Sequence, residues 1–96
     1  RWAVLYHLSP VRRNILEWYP FNEEGEILEI GSGCGAVTGI LSEKGKTVTC
    51  IELSKKRSLI NANRNYQCGN VEIMVGNFND IHLNRKFDYI TLIGVL

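Results

Sequence analysis

The stretch whose reading decides the fold is Ile27-Leu28-Glu29-Ile30-Gly31-Ser32-Gly33-Cys34-Gly35-Ala36-Val37-Thr38-Gly39-Ile40-Leu41. The short apolar run over 26–30, bounded by glycines, reads as a strand. Ala36, Val37, Ile40 and Leu41 then fall on one helical stripe, and Gly45 stands where such a helix stops. Between strand and helix, three glycines in five residues permit a tight turn. They also let a ligand approach the backbone where a Cβ would collide, while the helix start offers unpaired N–H groups to an electron-rich ligand.

Working outward, 46–51 is rich in β-branched residues and ends at Glu52, after which Ser54 caps a helix carrying Leu59, Ile60, Ala62, Asn63 and Tyr66. Residues 71–75 and 87–93 read as two more strands, the last a near-continuous apolar run of the kind a buried parallel strand shows. Upstream, Ser9 and Pro10 mark the start of a lead-in helix over about 10–19, with Val11, Ile15, Trp18 and Tyr19 at helical spacing. Residues 1–8 carry aromatics without a clean period and receive no assignment. Alternating strands and helices imply an α/β fold, a three-layer Rossmann-like parallel sheet with right-handed crossovers and strand order 3-2-1-4. The connection over 76–86 has poor helical periodicity. Its reach of roughly 36 Å nevertheless exceeds the diagonal of roughly 22 Å across three strand spacings, so a loop or a single helical turn can make the crossing.

Glu52 follows Gly31 by 21 residues. That is the spacing at which a carboxylate in a βαβ unit accepts hydrogen bonds from two ribose hydroxyls, which points to an adenosine-type ligand. Two ligand classes compete, because Gly31-x-Gly33-x-x-Ala36 also satisfies the dinucleotide fingerprint. Glu29, two residues before the first glycine, would meet a pyrophosphate with like charge and suits an ammonium better. The 25 residues before the first strand also weigh toward a methyl donor rather than a dinucleotide.

The chain has 96 residues, 45% of them hydrophobic and 22% charged, which fits one folded domain and argues against disorder. A net charge of +1 supplies no broad drive toward nucleic acid or anionic membrane. No apolar stretch approaches the length of a membrane span, and no secretory leader is evident. Cys34, Cys50 and Cys68 form no C-x-x-C pair, and only two histidines accompany them. Zinc and disulfide frameworks are therefore not expected, and a cytoplasmic setting is.

With I-L-E-I-G-S-G-C-G-A-V-T-G-I-L (27–41), V-T-C-I-E-L-S (48–54), V-E-I-M-V-G-N-F-N-D-I (71–81) and F-D-Y-I-T-L-I-G-V-L (87–96) in place, the chain resembles the first four strand motifs of a class I S-adenosylmethionine-dependent methyltransferase. The resemblance implies a fragment of an S-adenosylmethionine-binding methyltransferase domain over 1–96, with a lead-in helix and loop over 1–25 and a four-stranded core over 26–96. It implies that Glu29 takes the acidic position near the methionine end of the donor, and that Gly31, Ser32, Gly33 and Gly35 belong to the glycine loop. Glu52 matches the ribose-binding acid, and Leu53 would lie against the adenine ring. Asn77 stands where the family usually has an aspartate accepting from the adenine amino group, a bond an Asn carbonyl also accepts. Phe78 would present its backbone N–H to the ring; Asn79 and Asp80 could take these two roles instead. In that family the acceptor-side residues generally follow the fourth strand, so this chain is expected to hold half an active site and to be inactive alone, with no catalytic base to assign.

The acceptor stays open. The opening L-S-P-V-R-R-N-I-L-E-W-Y-P-F (8–21) is similar to methyltransferase domains joined to bacterial glycosyltransferases of cell-surface polysaccharide synthesis, which favours a saccharide or other small molecule. The glycine motif with I-E-L (51–53) also resembles ribosomal RNA adenine dimethyltransferases, which carry an N-L-P-Y-type motif after the fourth strand; I-T-L-I-G-V-L (90–96) has no Asn or Pro, which weakens that match. A non-catalytic nucleotide-binding module and an NAD-binding oxidoreductase also fit a glycine loop of this kind. Tyr6, His7, Arg12 and Arg13 are read as packed aromatics and solvated charge, Lys55, Lys56 and Arg57 as a solvated face, and Cys34 as a small loop residue. A fourth strand without its usual neighbour would expose an apolar edge, so dimerisation through that edge is expected.

Overall fold

The computed structural model describes residues 3–7, 16 and 18–93. Its elements in chain order are β1 (Ala3–His7), β2 (Glu26–Ile30), α1 (Ala36–Lys44), β3 (Thr47–Glu52), α2 (Lys55–Arg64), β4 (Val71–Val75), a 3-10 turn (Phe78–Asp80) and β5 (Tyr89–Ile93). All strand pairs are parallel, and the sheet runs β1-β5-β2-β3-β4. The four strands read from the sequence therefore take the expected order 3-2-1-4. Of the lead-in helix, Leu16 and Trp18 are helical and Leu16 is buried; the rest of 10–15 and residue 17 lie outside the described residues.

β1 corrects the expectation of a bare apolar edge. It pairs with β5 from Ala3 opposite Tyr89 to His7 opposite Ile93, so β5 has a hydrogen-bonded neighbour on each side and offers no free edge for dimerisation. The strand escapes a reading from local pattern because its pairing partner, Tyr89 to Ile93, lies at the far end of the chain.

Residues alternate across the sheet, so Ile27, Glu29, Val48 and Cys50 face one side and Leu28, Ile30 and Ile51 the other. On the first side Leu16, Ile27, Val37, Leu41, Val48 and Cys50 form a core under α1. On the second, Leu28, Ile30, Ile51 and Phe87 pack with Ile81, Leu83 and Met74, so the connection between β4 and β5, which contains the 3-10 turn, supplies that layer. Arg85 pins this connection: its guanidinium bonds Thr49 Oγ1, meets Glu72 at 3.3 Å and lies 5.2 Å from the Phe87 ring centroid.

α2 begins as read, with Ser54 Oγ accepting from Arg57 N at 3.2 Å. Its inward face is not the apolar one. Leu59, Ile60 and Tyr66 are exposed, whereas Ser58, Asn61 and Asn65 are buried. The physical reason lies at the glycine loop, where polar partners await the two asparagines.

Candidate functional site

Parallel strands deliver their carboxyl ends to one side of the sheet, and the order reverses between β2 and its neighbours β3 and β5, which opens a crevice there. A cavity of about 510 Å³ lies at that end, within the range of small-molecule sites. Its walls come from the ends of all four core strands: Ile30 and Gly31 after β2, Glu52 and Leu53 after β3, Gly76 to Asn79 after β4, and Leu92 on β5.

Glu52 joins this wall to the glycine loop. Its Oε1 accepts from Gly33 N at 2.8 Å and its Oε2 from Ser54 N at 2.9 Å, so the side chain is held rigidly although only 6% exposed. Two backbone donors leave a carboxylate with lone pairs to spare for further donors from the cavity. The backbone ladder continues past the strands, with Gly31 N donating to Ile51 O at 2.8 Å and Gly76 N to Glu52 O at 2.9 Å.

Across the cavity, Asn77 opens the 3-10 turn. Its Oδ1 accepts from Asn79 N at 2.9 Å, and its carbonyl accepts from Asp80 N at 2.9 Å. Asn77, Phe78 and Asn79 all border the cavity; Asp80 is exposed beyond it. Leu53 and Phe78 contribute apolar surface that is 71% and 42% exposed, a ready pair of faces for a flat ring.

The glycines divide their labour. Gly33 has φ +58° and open space where a Cβ would stand, so backbone conformation alone demands glycine there. Gly35 has φ +90° and a second constraint: a Cβ would come within 2.6 Å of Asn65 Nδ2. The third glycine thus admits α2 rather than a ligand.

Glu29 is not on the cavity wall. It is fully buried behind the loop, where its Oε1 accepts from Thr38 Oγ1 at 2.5 Å and from Cys50 Sγ at 3.4 Å, while Oε2 has no partner among the described residues. Burial pushes its pKa up to about 7 against the bonds from Thr38 and Cys50, with the charge of Glu52 adding a smaller push. Burial likewise drives the Cys50 thiol well above its ordinary range, Glu29 adding to the effect, so Cys50 is no nucleophile. Alternation along β2 aims the Glu29 side chain at the α1 face, beneath the loop, rather than at the cavity wall.

The structure therefore gathers Gly31, Glu52, Leu53, Asn77 and Phe78 at one cavity, sets Ser32, Gly33 and Gly35 in the loop behind it, and buries Glu29 below. Arg57, read as part of a solvated face, also borders the cavity. Its position five residues after Glu52, in the first turn of α2, is the signal that could have found it. Among the described residues no cluster of His, Cys, Asp and Glu could hold a metal ion, and no helix is long and apolar enough to cross a membrane.

Known proteins share this fold. Residues 27–96 match the model of the methyltransferase domain, and the chain belongs to that family. An uncharacterised methyltransferase of Staphylococcus carnosus is 38% identical over 68 residues, covering 70% of this chain and 30% of that protein. Ribosomal RNA small subunit methyltransferase A of Fusobacterium nucleatum is 39% identical over 51 residues, covering 53% and 19%. Among solved structures, phosphoethanolamine N-methyltransferase 1 of Haemonchus contortus, in complex with phosphoethanolamine and S-adenosylhomocysteine, superposes with a TM-score of 0.74 at 25% identity, over 81% of this chain and 17% of that one. The chain thus spans less than a third of these relatives. The family match decides between the two ligand classes in favour of a methyltransferase.

Proposed function

We propose that residues 26–96 form the donor-binding part of an S-adenosylmethionine-dependent methyltransferase, within a domain fragment that covers the whole chain. S-adenosylmethionine is the methyl donor that membership of the family implies. The observation that carries the reading is Glu52, fixed by two backbone N–H groups at the mouth of a crevice whose opposite wall is Asn77 and Phe78. Its remaining lone pairs suit two ribose hydroxyls. Leu53 and Phe78 suit the faces of an adenine ring, Asn77 Oδ1 keeps one lone pair for the adenine amino group, and the loop at Gly31 borders the remainder of the ligand. Arg57 flanks the adenine end. Glu29 lies behind the loop, towards the methionine end of the donor in this reading, and is held there by Thr38 and Cys50.

A bound donor supplies an electrophilic methyl on a sulfonium. The chain's own part is alignment: it holds the nucleoside so that an acceptor meets the methyl in line, the kind of positioning that replaces a bimolecular encounter. The preferred acceptor is a saccharide or another small molecule, on the likeness of 8–21 to domains joined to glycosyltransferases. The second reading, an RNA base, draws on the Fusobacterium nucleatum relative, while the net charge of +1 gives it no basic footprint.

The test is calorimetric titration of the chain with S-adenosylmethionine, S-adenosylhomocysteine and NAD, repeated with Glu52→Ala. Binding of the first two alone, weakened roughly 100-fold in the variant, is expected, since bonds to a charged group contribute about 1.5–3 kcal/mol. Binding of NAD alone would reverse the assignment.

A further inference from the structure

Two buried amides remain unused by these roles. Asn61 and Asn65 lie one turn apart at the end of α2, 0% and 9% exposed, and buried amides require partners. They spend their bonds on the glycine loop and on α1. Asn65 Nδ2 donates to the Gly35 carbonyl at 3.0 Å and to Asn61 Oδ1 at 2.7 Å; Asn61 Nδ2 donates to Thr38 Oγ1 at 3.2 Å, whose hydroxyl donates to Glu29. The donors all run one way, from α2 through the first turn of α1 to the carboxylate under the loop. The shapes match as well. Gly35 and Gly39, also one turn apart, present bare backbone to the pair: a Cβ on Gly35 would lie 2.5 Å from Asn61 Cγ, and one on Gly39 would lie 3.0 Å from Asn65 Oδ1.

We infer that Asn61 and Asn65 are positioning residues for the donor site, holding the glycine loop from behind through Gly35 while Glu52 holds it from the cavity side through Gly33. The inference rests on the donor-site reading above. It explains why α2 turns its amides inward and leaves Leu59 and Ile60 exposed. It also divides the ligand. Leu53, Asn77 and Phe78, assigned to the adenine, belong to other segments, so loosening the rear anchor acts on the part of the ligand against the loop.

The experiment compares two ligands on the full chain: S-adenosylhomocysteine, and 5′-methylthioadenosine, which lacks the amino-acid tail. In Asn65→Ala and in the near-isosteric Asn65→Asp, which replaces the amide donor, affinity for S-adenosylhomocysteine falls about tenfold, the effect of a lost buried hydrogen bond, while methylthioadenosine affinity barely moves. Equal losses for both ligands would mean a general softening and overturn the inference, as would unchanged affinity for S-adenosylhomocysteine. A wild-type chain that binds neither ligand overturns the donor reading itself, and the inference with it. If neither variant folds, hydrogen exchange on the wild type decides: S-adenosylhomocysteine must slow exchange at 61–65 together with the loop, and no slowing at 61–65 overturns the assignment.

Discussion

The glycine loop and the turn after β4 border the same cavity but are held by bonds of different reach. The loop's anchors come from far along the chain: Glu52 takes the N–H of Gly33, 19 residues away, and Asn65 donates to the carbonyl of Gly35, 30 residues away. The turn is bonded almost wholly to itself, with Asn77 accepting from Asn79 N through its side chain and from Asp80 N through its carbonyl. Anchors that span elements make the loop part of the cooperative core, while a turn closed on itself can rearrange without opening the sheet. A change at the loop should therefore cost stability and affinity together, and a change at the turn affinity alone.

The sharpest way to break that contrast is Gly35→Ala. The left-handed backbone at φ +90° costs about 1–2 kcal/mol for a residue with a Cβ, and overpacking against Asn61 and Asn65 adds about 1–3 kcal/mol. Urea unfolding should show a loss of about 3 kcal/mol. Gly33→Ala meets nothing within 4 Å and carries only the backbone cost, about 1 kcal/mol. Equal losses in the two variants would show that the asparagines yield freely and do not anchor the loop.

Glu29 sharpens the same comparison through pH. Its folded pKa, about 7, lies above the ordinary 4.5 because burial penalises the ionised form. The folded chain therefore keeps the proton over a range where the unfolded chain has released it. This contribution is fully present below about pH 4.5 and is lost as pH rises through 7, amounting to about 3 kcal/mol at most. In Glu29→Gln that slope should vanish, so the variant gains on wild type between about pH 5 and pH 8 in urea melts. Parallel pH profiles would mean that Glu29 titrates in the folded chain as it does in the unfolded one.

Much of this is legible in the sequence, for a physical reason. The strand-loop-helix unit at 26–44 and the capped helix after Glu52 are local structures, specified by glycines, β-branched runs and a serine cap that need no distant partner. Glu52 can be placed by spacing because a βαβ unit has a nearly fixed length. β1 is not legible, since what makes it a strand is Tyr89 to Ile93 at the far end of the chain. The inward face of α2 reads in reverse because Asn61 and Asn65 look like solvated residues until Gly35, Gly39 and Thr38 supply their partners. Glu29 stands out as a special carboxylate, but its depth depends on α1 closing over it. Its spacing from the loop says nothing of that.

The smallest expected effect belongs to the turn. Asn77→Ala removes an acceptor from one exposed backbone N–H, where water replaces it, so unfolding free energy should change by less than about 0.5 kcal/mol. If Asn77 also accepts from an adenine amino group, S-adenosylhomocysteine should bind about fivefold more weakly, about 1 kcal/mol. Asn77→Asp, which keeps the acceptor, should restore the affinity. The inosine analogue of S-adenosylhomocysteine, with an oxygen in place of the amino group, isolates the bond: wild type should discriminate against it and Asn77→Ala should not. Stability lost in proportion to affinity at Asn77 would mean that the turn is tied to the core as tightly as the glycine loop, and the difference between the two walls would then lie in sequence distance alone.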